Sequence, residues 1–139
     1  MPDNEIARLT DRLMRRIHAA LNAKAAEFDT YRLGPGGGII LLTLAEIEPA
    51  KVHELVGRMA RDKSQMTRAI KALEAKGLIE RQDDPRDARV SVLKLTDEGG
   101  KAVGAIEAAV SDALAVILAP LSTTEKETLR GLLKRIHDV

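Results

Sequence analysis

The chain has 139 residues, 45% of them hydrophobic and 31% charged, with 22 Lys and Arg against 21 Asp and Glu. That length suits one domain, or one domain with added dimerisation helices, and the composition excludes a disordered chain. The absence of Cys excludes disulfides and thiol-based redox sensing, and with one Phe, one Tyr and no Trp the core must be aliphatic.

From Asn4 to about Phe28, the residues Ile6, Leu9, Leu13, Ile17, Ala20 and Leu21 recur at spacings of 3 and 4, opposite Arg8, Asp11, Arg12, Arg15 and Lys24. This predicts one long amphipathic helix whose apolar stripe must be covered. His18 sits beside the stripe, where it is either a hydrogen-bonded boundary residue or a ligand contact. Phe28 and Tyr31, the only aromatics, either pack structurally or line a small-molecule pocket with it. The charged start of the chain has no signal-peptide core, and no apolar run approaches the ~18 residues of a membrane span, so a cytoplasmic protein without a membrane partner is expected.

Leu33-Gly34-Pro35-Gly36-Gly37-Gly38 should break that helix, since each Gly inside a helix costs roughly 1 kcal/mol relative to Ala. Gly36 to Gly38 read as a frayed first turn of the next helix, a linker, or a place where the backbone approaches something closely. No Lys-Ser or Lys-Thr follows, so a phosphate-binding P-loop is not expected. Ile39 to Ile47 is a strongly apolar core segment, helical or a buried strand, and Glu48-Pro49 stops it. Lys51 to Met59 predicts a helix with Val52, Leu55, Val56 and Met59 at core spacing, and Ala60-Arg61 leads into the next element. His53 is expected to be exposed.

Asp62 can cap a helix, with Gln65 completing a capping box, and Met66, Ile70 and Leu73 form its apolar stripe. Gly77 suits the left-handed residue that ends it. Leu78 to Gln82 and Val90 to Leu95 read as two strands around a polar tip, Asp83 to Arg89, that carries a turn-forming Pro. Beyond them, Thr96 can cap a long helix ending at Pro120, with Val103, Ile106, Val110, Leu114 and Ile117 repeating along it and Leu121 continuing the spacing just past its end. Ser122 and Glu125 make a capping box for a last helix with Leu129, Leu132, Leu133 and Ile136 as its stripe. Both stripes look too long for a small domain to cover alone.

Once the apolar stripe of the central helix is placed, Lys63, Ser64, Gln65, Thr67, Arg68 and Lys71 remain as a ridge of donors and positive charge. Such a ridge suits a DNA major groove, where Arg and Gln pair two-pronged with base edges while Ser, Thr and Lys hold phosphate. A solvated helix face has the same composition. Between Ala50 and Leu95 there are 11 Lys and Arg against 7 Asp and Glu, leaving 11 against 14 elsewhere. The near-neutral chain therefore concentrates its positive charge where the ridge lies.

The stretch from about Leu33 to Ala102 resembles the winged helix-turn-helix of the MarR family of bacterial transcription regulators. The resemblance rests on Glu54-Leu55, on Asp62-Lys63-Ser64-Gln65-Met66-Thr67-Arg68, and on Leu73 through Arg81. It continues through Asp84-Pro85-Arg86-Asp87-Ala88-Arg89 and Leu95-Thr96-Asp97-Glu98-Gly99, in order and without gaps. It implies a mainly α fold with a small β-wing: a winged helix-turn-helix lobe over 33–100, and N- and C-terminal dimerisation helices over 1–30 and 101–139. It also implies a homodimer on double-stranded DNA, often a repressor released by a small-molecule effector. Arg89 would then reach a minor groove, held by Asp87, with Arg86 beside it at the wing tip. Arg58 and Arg61 are further candidates for phosphate contacts, while Asp83 and Asp84 would repel phosphate unless paired or turned away. A winged helix that binds protein is the competing reading. An enzyme is not expected, because there is no Cys and the three His are dispersed, without Ser-His or metal-ligand spacing. No catalytic residue, metal or cofactor is assigned.

Overall fold

The computed structural model describes residues 2–59 and 61–137. Ala60, part of the expected lead-in to the central helix, lies outside the described residues, as do Met1 and 138–139 at the ends of the expected dimerisation segments. The elements are α1 (Pro2–Ala23), α2 (Ala25–Phe28), α3 (Gly34–Ile47), α4 (Val52–Arg58), α5 (Lys63–Ala75), β1 (Ile79–Asp84), β2 (Asp87–Leu95), α6 (Asp97–Ile117) and α7 (Thr123–His137). This is the expected mainly α architecture with one small β-ribbon. The chain forms two compact units, one of Lys24–Ala108 and one of Met1–Ala23 with Ala109–Val139, and α6 runs from the first into the second.

The unit of Lys24–Ala108 is built on an aliphatic core. Ile40, Leu41 and Leu44 of α3, Leu55 of α4, and Met66 and Ile70 of α5 are fully buried, as are Leu78, just before β1, and Leu93 of β2. Burying each such side chain contributes about 1.5–3 kcal/mol before the entropy of ordering is set against it. The apolar run from Ile39 is helical, and its first residue differs from expectation: Ile39 is exposed. An α-helix can turn only part of a continuous apolar run inward.

Several boundaries differ from those the sequence predicts; α6, for instance, ends at Ile117 rather than at Pro120. The N-terminal helix breaks at Lys24, whose backbone (φ −112°, ψ 7°) leaves the helical region. Beyond Leu21 no large apolar side chain recurs until Phe28, so no stripe holds the helix together. The Gly-rich segment is not a linker but the first turns of α3, set up from outside the helix. The Asp29 carboxylate accepts the Leu33 N–H (2.8 Å) and the Gly34 N–H (2.9 Å), supplying acceptors that the helix start lacks. The expected close approach is present here as well. A Cβ at Gly37 would lie 2.9 Å from Leu33 Cβ, and one at Gly36 would lie 3.0 Å from both terminal nitrogens of Arg61.

β1 and β2 pair antiparallel from Ile79 opposite Leu95 to Asp83 opposite Ser91, then shift register so that Asp84 faces Asp87. The strands are longer than predicted, and only Pro85 and Arg86 remain as turn. Ladder hydrogen bonds carry Asp83 and Asp84 into β-structure although their composition reads as loop. A third segment joins the ribbon through Ala50 alone: its N–H donates to the Leu93 carbonyl (3.1 Å) and its carbonyl accepts the Leu93 N–H (2.7 Å). The Leu95 N–H donates to Glu48 Oε1 at 3.1 Å, so the residues that end α3 also fix the base of the wing.

The wing and α6 meet at a tight junction. Gly77 ends α5 with φ +74°, the left-handed conformation expected there. The Leu78 carbonyl accepts the Thr96 N–H (3.1 Å), and Thr96 Oγ1 donates to the Gly77 carbonyl (2.6 Å) while accepting the Gly99 N–H (3.0 Å). Thr96 thus caps α6 as expected and ties it to the end of α5. A Cβ on Gly99 would fall 2.0 Å from the Leu78 carbonyl oxygen, which is backbone and cannot swing away.

In the other unit, Ser122 and Glu125 form their reciprocal capping box, with Glu125 N–H on Ser122 Oγ (3.1 Å) and Ser122 N–H on Glu125 Oε1 (2.8 Å). Its helices leave Ile6, Leu9 and Met14 of α1, Val116 of α6, and Leu132, Leu133 and Ile136 of α7 exposed.

The junction yields a paired prediction. Gly99→Ala should destabilise the protein by about 1–3 kcal/mol through overpacking, despite the better helix propensity of Ala. Gly104→Ala, where nothing lies within 4 Å, should stabilise it by roughly 0.5–1 kcal/mol. Urea unfolding of both variants checks this; equal effects would remove the junction as a packing constraint.

Candidate nucleic-acid interface

Helix α5 is amphipathic by geometry. At about 100° per residue, Met66, Ile70 and Leu73 lie on one side, and all three are buried. Ser64, Arg68 and Lys71 lie on the opposite side and Gln65 at its border, all exposed. Lys63 is exposed on a flank. The Asp62 carboxylate accepts the Gln65 N–H at 2.8 Å, the expected half of the capping box. Thr67 differs from its neighbours. It is half-buried, and its hydroxyl donates to the Lys63 carbonyl (2.8 Å), which leaves it lone pairs to offer rather than a proton.

Arg58 lies exposed in the last turn of α4. Arg61 is also exposed, with its guanidinium packed over the first turns of α3 at Gly36. The structure therefore places Arg61 between the start of α3 and the start of α5.

At the wing, Arg89 Nε donates to Asp87 Oδ1 (3.0 Å) and one of its terminal nitrogens to Asp87 Oδ2 (3.2 Å). The Arg89 backbone N–H also reaches Oδ1, at 3.1 Å. The Arg89 side chain is nevertheless 90% exposed, so it is aimed rather than buried. These bonds from Arg89, and then the charge of Lys51, hold the Asp87 carboxyl below its ordinary value. Arg86 is exposed in the turn, its N–H on Asp84 Oδ1 at 2.9 Å. That bond engages one oxygen of Asp84 within the turn itself.

Two further contacts support the site, the first from Arg81, which by its place in the sequence reads as a support residue or a phosphate contact. Arg81 Nε donates to Glu74 Oε1 at 3.0 Å, joining the wing to the last turn of α5. Lys51 comes close enough to Asp87 to bias it, because Ala50 beside it pairs with β2. The turn from α5 into β1 brings the first pair together, and the bridge of Ala50 to β2 brings the second.

The three candidate pocket residues fall in different units of the fold. His18 is half-buried in α1, while Phe28 and Tyr31 are half-buried in the Lys24–Ala108 unit. The Tyr31 hydroxyl donates to Glu98 Oε2 at 2.6 Å. That bond raises the Tyr31 phenol and, with Lys101, lowers the Glu98 carboxyl.

A helix with a buried stripe and a basic ridge, preceded by a short helix and followed by a wing, is the geometry of a winged helix-turn-helix. Comparison with known proteins agrees. The model of the MarR family matches residues 39–91. The uncharacterized HTH-type transcriptional regulator YxaD of Bacillus subtilis (strain 168) is 35% identical over 121 residues, covering 87% of this chain and 85% of its own length. The chain belongs to the MarR family. The crystal structure of a probable transcriptional regulator from Pseudomonas aeruginosa superposes with a TM-score of 0.74 at 31% identity, covering 98% of this chain and 99% of that one. The PcaV transcriptional regulator from Streptomyces coelicolor, solved with its natural ligand, gives 0.70 at 26% identity, covering 96% and 92%. Regulators of this family are non-enzymatic DNA-binding proteins, and no helix among the described residues is long and apolar enough to cross a membrane.

The wing pair predicts a pH dependence. The folded Asp87 value is depressed, so its contribution is present above the unfolded value and is lost as pH falls through the lower, folded one. In an NMR titration, the Asp87 carboxyl should turn at lower pH than an ordinary Asp, and Arg89→Gln should move that midpoint upward. An unmoved midpoint would show that Arg89 does not hold Asp87 in solution.

Proposed function

We propose that this chain is a homodimeric transcriptional repressor that binds a roughly palindromic operator and is released by a small-molecule effector. The observation that carries the reading is the exposed ridge of Ser64, Gln65, Arg68 and Lys71 on a helix whose other face is locked into the core. Arg68 and Gln65 would read base edges, and Lys63, Ser64, Lys71, Arg58 and Arg61 would hold phosphate. Thr67 would contribute only as an acceptor, or through its methyl group. Arg89, aimed by Asp87, would enter the minor groove with Arg86 beside it.

The lobe over 33–100 would carry recognition, and the segments 1–30 and 101–139 would carry dimerisation. The exposed Ile6 and Leu9 of α1 and Leu132, Leu133 and Ile136 of α7 support this, since large apolar side chains left uncovered along a helix stripe call for a partner. Two recognition helices would then enter successive major grooves about one helical turn apart, as in other helix-turn-helix dimers. Acting on DNA, the protein would work in the cytoplasm. An effector is supported by the ligand-bound PcaV relative. His18, Phe28 and Tyr31 remain candidates for its pocket, and Tyr31 would first have to give up or share its bond to Glu98.

Fluorescence anisotropy on the intergenic DNA upstream of the protein's own gene, with a scrambled duplex as control, tests this across a salt series. Arg68→Ala should cost about 1–3 kcal/mol on the operator and little on the scrambled duplex. Lys71→Ala should weaken both and reduce the salt slope by about 1. Equal, weak binding of the parent protein to both duplexes would count against the reading. Separately, Leu133→Lys with Ile136→Lys should convert a dimer to monomers in sedimentation, and unchanged sedimentation would remove α7 from the interface.

A further inference from the structure

The segment from Asp29 to Gly34 is unusually constrained for a connection between two helices. Arg32 sits at φ +56° and Gly34 at φ +67°, so a residue with a side chain occupies the left-handed region. Such a conformation persists only where its surroundings hold it. Three side chains do so. Asp29 accepts the Leu33 and Gly34 N–H groups, as described above. Lys76 Nζ donates to the Tyr31 carbonyl at 2.8 Å and reaches the Arg32 carbonyl at 3.5 Å. The Tyr31 hydroxyl donates to Glu98, whose other oxygen accepts Lys101 Nζ at 3.3 Å.

Lys76 is the residue that ends α5. A cation at a helix C-terminus ordinarily serves its own last carbonyls. This one reaches 45 residues back along the chain to the carbonyls of the strained segment. Tyr31 then passes the connection to Glu98 in the first turn of α6. The chain crosses between the two compact units at 23/24 and again at 108/109. Tyr31 lies on the segment that enters the Lys24–Ala108 unit and Glu98 on the helix that leaves it. Lys76, Tyr31 and Glu98 therefore join both passages of the chain to the end of the helix bearing the basic ridge.

We propose that Lys76, Tyr31 and Glu98 form a clasp that sets the pose of α5, making them positioning residues for DNA recognition although none belongs to the ridge. The inference rests on the DNA-binding reading above. It assigns these groups a task apart from phosphate contact: Lys76 spends its charge on carbonyls, and the Tyr31 hydroxyl contributes no charge to the duplex. Its rival is a set of exposed surface hydrogen bonds that leave the helix where it is.

The test uses the full-length protein with Tyr31→Phe, which removes one hydroxyl, and Lys76→Met, which keeps the chain length and removes the donor. Lys71→Ala serves as the phosphate-contact comparison. Each clasp variant should weaken operator binding about three- to tenfold while the slope of log affinity against log salt stays that of the parent. In the free protein, amide exchange should quicken at Leu33 and Gly34 and at Lys76 to Leu78, with the unfolding midpoint nearly unchanged. A salt slope reduced by about 1 in Lys76→Met would make Lys76 a phosphate contact and overturn the positioning role. Unchanged affinity in both variants, on an operator the parent binds tightly, would overturn the clasp. If the parent binds no duplex, the functional reading falls and amide exchange alone decides: quickening at both segments keeps the clasp, and unchanged exchange removes it.

Discussion

The constraint on which the lobe depends is the meeting of the Gly77–Leu78 turn with Thr96 and Gly99. One backbone carbonyl, that of Leu78, receives the Thr96 N–H and leaves no room for a Cβ at position 99. At this point the ridge-bearing helix ends, the wing begins, the wing returns and α6 starts. If the junction loosened, α5 could still bury Met66, Ile70 and Leu73. Its axis would then no longer be fixed against the wing, and two separate contact surfaces would lose their common geometry. A reader of DNA needs that geometry more than it needs net stability, because base contacts discriminate only when several donors arrive together.

Electrostatics follow the same logic of aim over strength. The chain is almost neutral, so a strong overall field is not what would draw it to DNA. Instead, individual cations are oriented by carboxylates. Asp87 holds Arg89, and Glu74 holds Arg81 and thereby the wing to α5. Exposed ion pairs of this kind contribute little to folding. What they do is restrict the conformers that a long, exposed side chain samples. The wing-tip carboxylates are themselves engaged locally: Asp84 and Asp87 each accept a backbone N–H of the turn or the strand after it.

Much of the lobe is legible in the sequence. Periodicity identified the core stripe of α5 and, by subtraction, the ridge opposite it. Caps at Asp62, Thr96 and Ser122 marked three helix starts, because an N-cap is a local event written within four residues. What could not be read was non-local. Asp83 and Asp84 have loop composition, yet ladder bonds hold them in strand. The Lys24 break arises where the apolar pattern stops, a weak signal inside an alanine-rich run. Thr67 counts as a donor in a list of residues, but its proton is already committed to Lys63. Tyr31 reads as a pocket candidate because aromatics are rare here, and its bond to Glu98, 67 residues away, is one that only the fold brings about.

The Gly-rich opening of α3 joins these strands of the argument. By propensity it should not be helical, and the sequence reading accordingly placed a break there. The helix forms because Asp29 supplies the acceptors its first amides lack, and because close neighbours occupy the space that side chains would have taken. One of those neighbours is the guanidinium of Arg61, which immediately precedes the cap of α5. The bare first turns thus seat the residue that introduces the ridge, while Asp29 anchors the segment on which Lys76 pulls. Helix-breaking composition at the start of α3 and correct presentation of α5 are therefore two consequences of one packing arrangement. A bulkier helix start would gain local propensity, but it would have to displace Arg61 to do so.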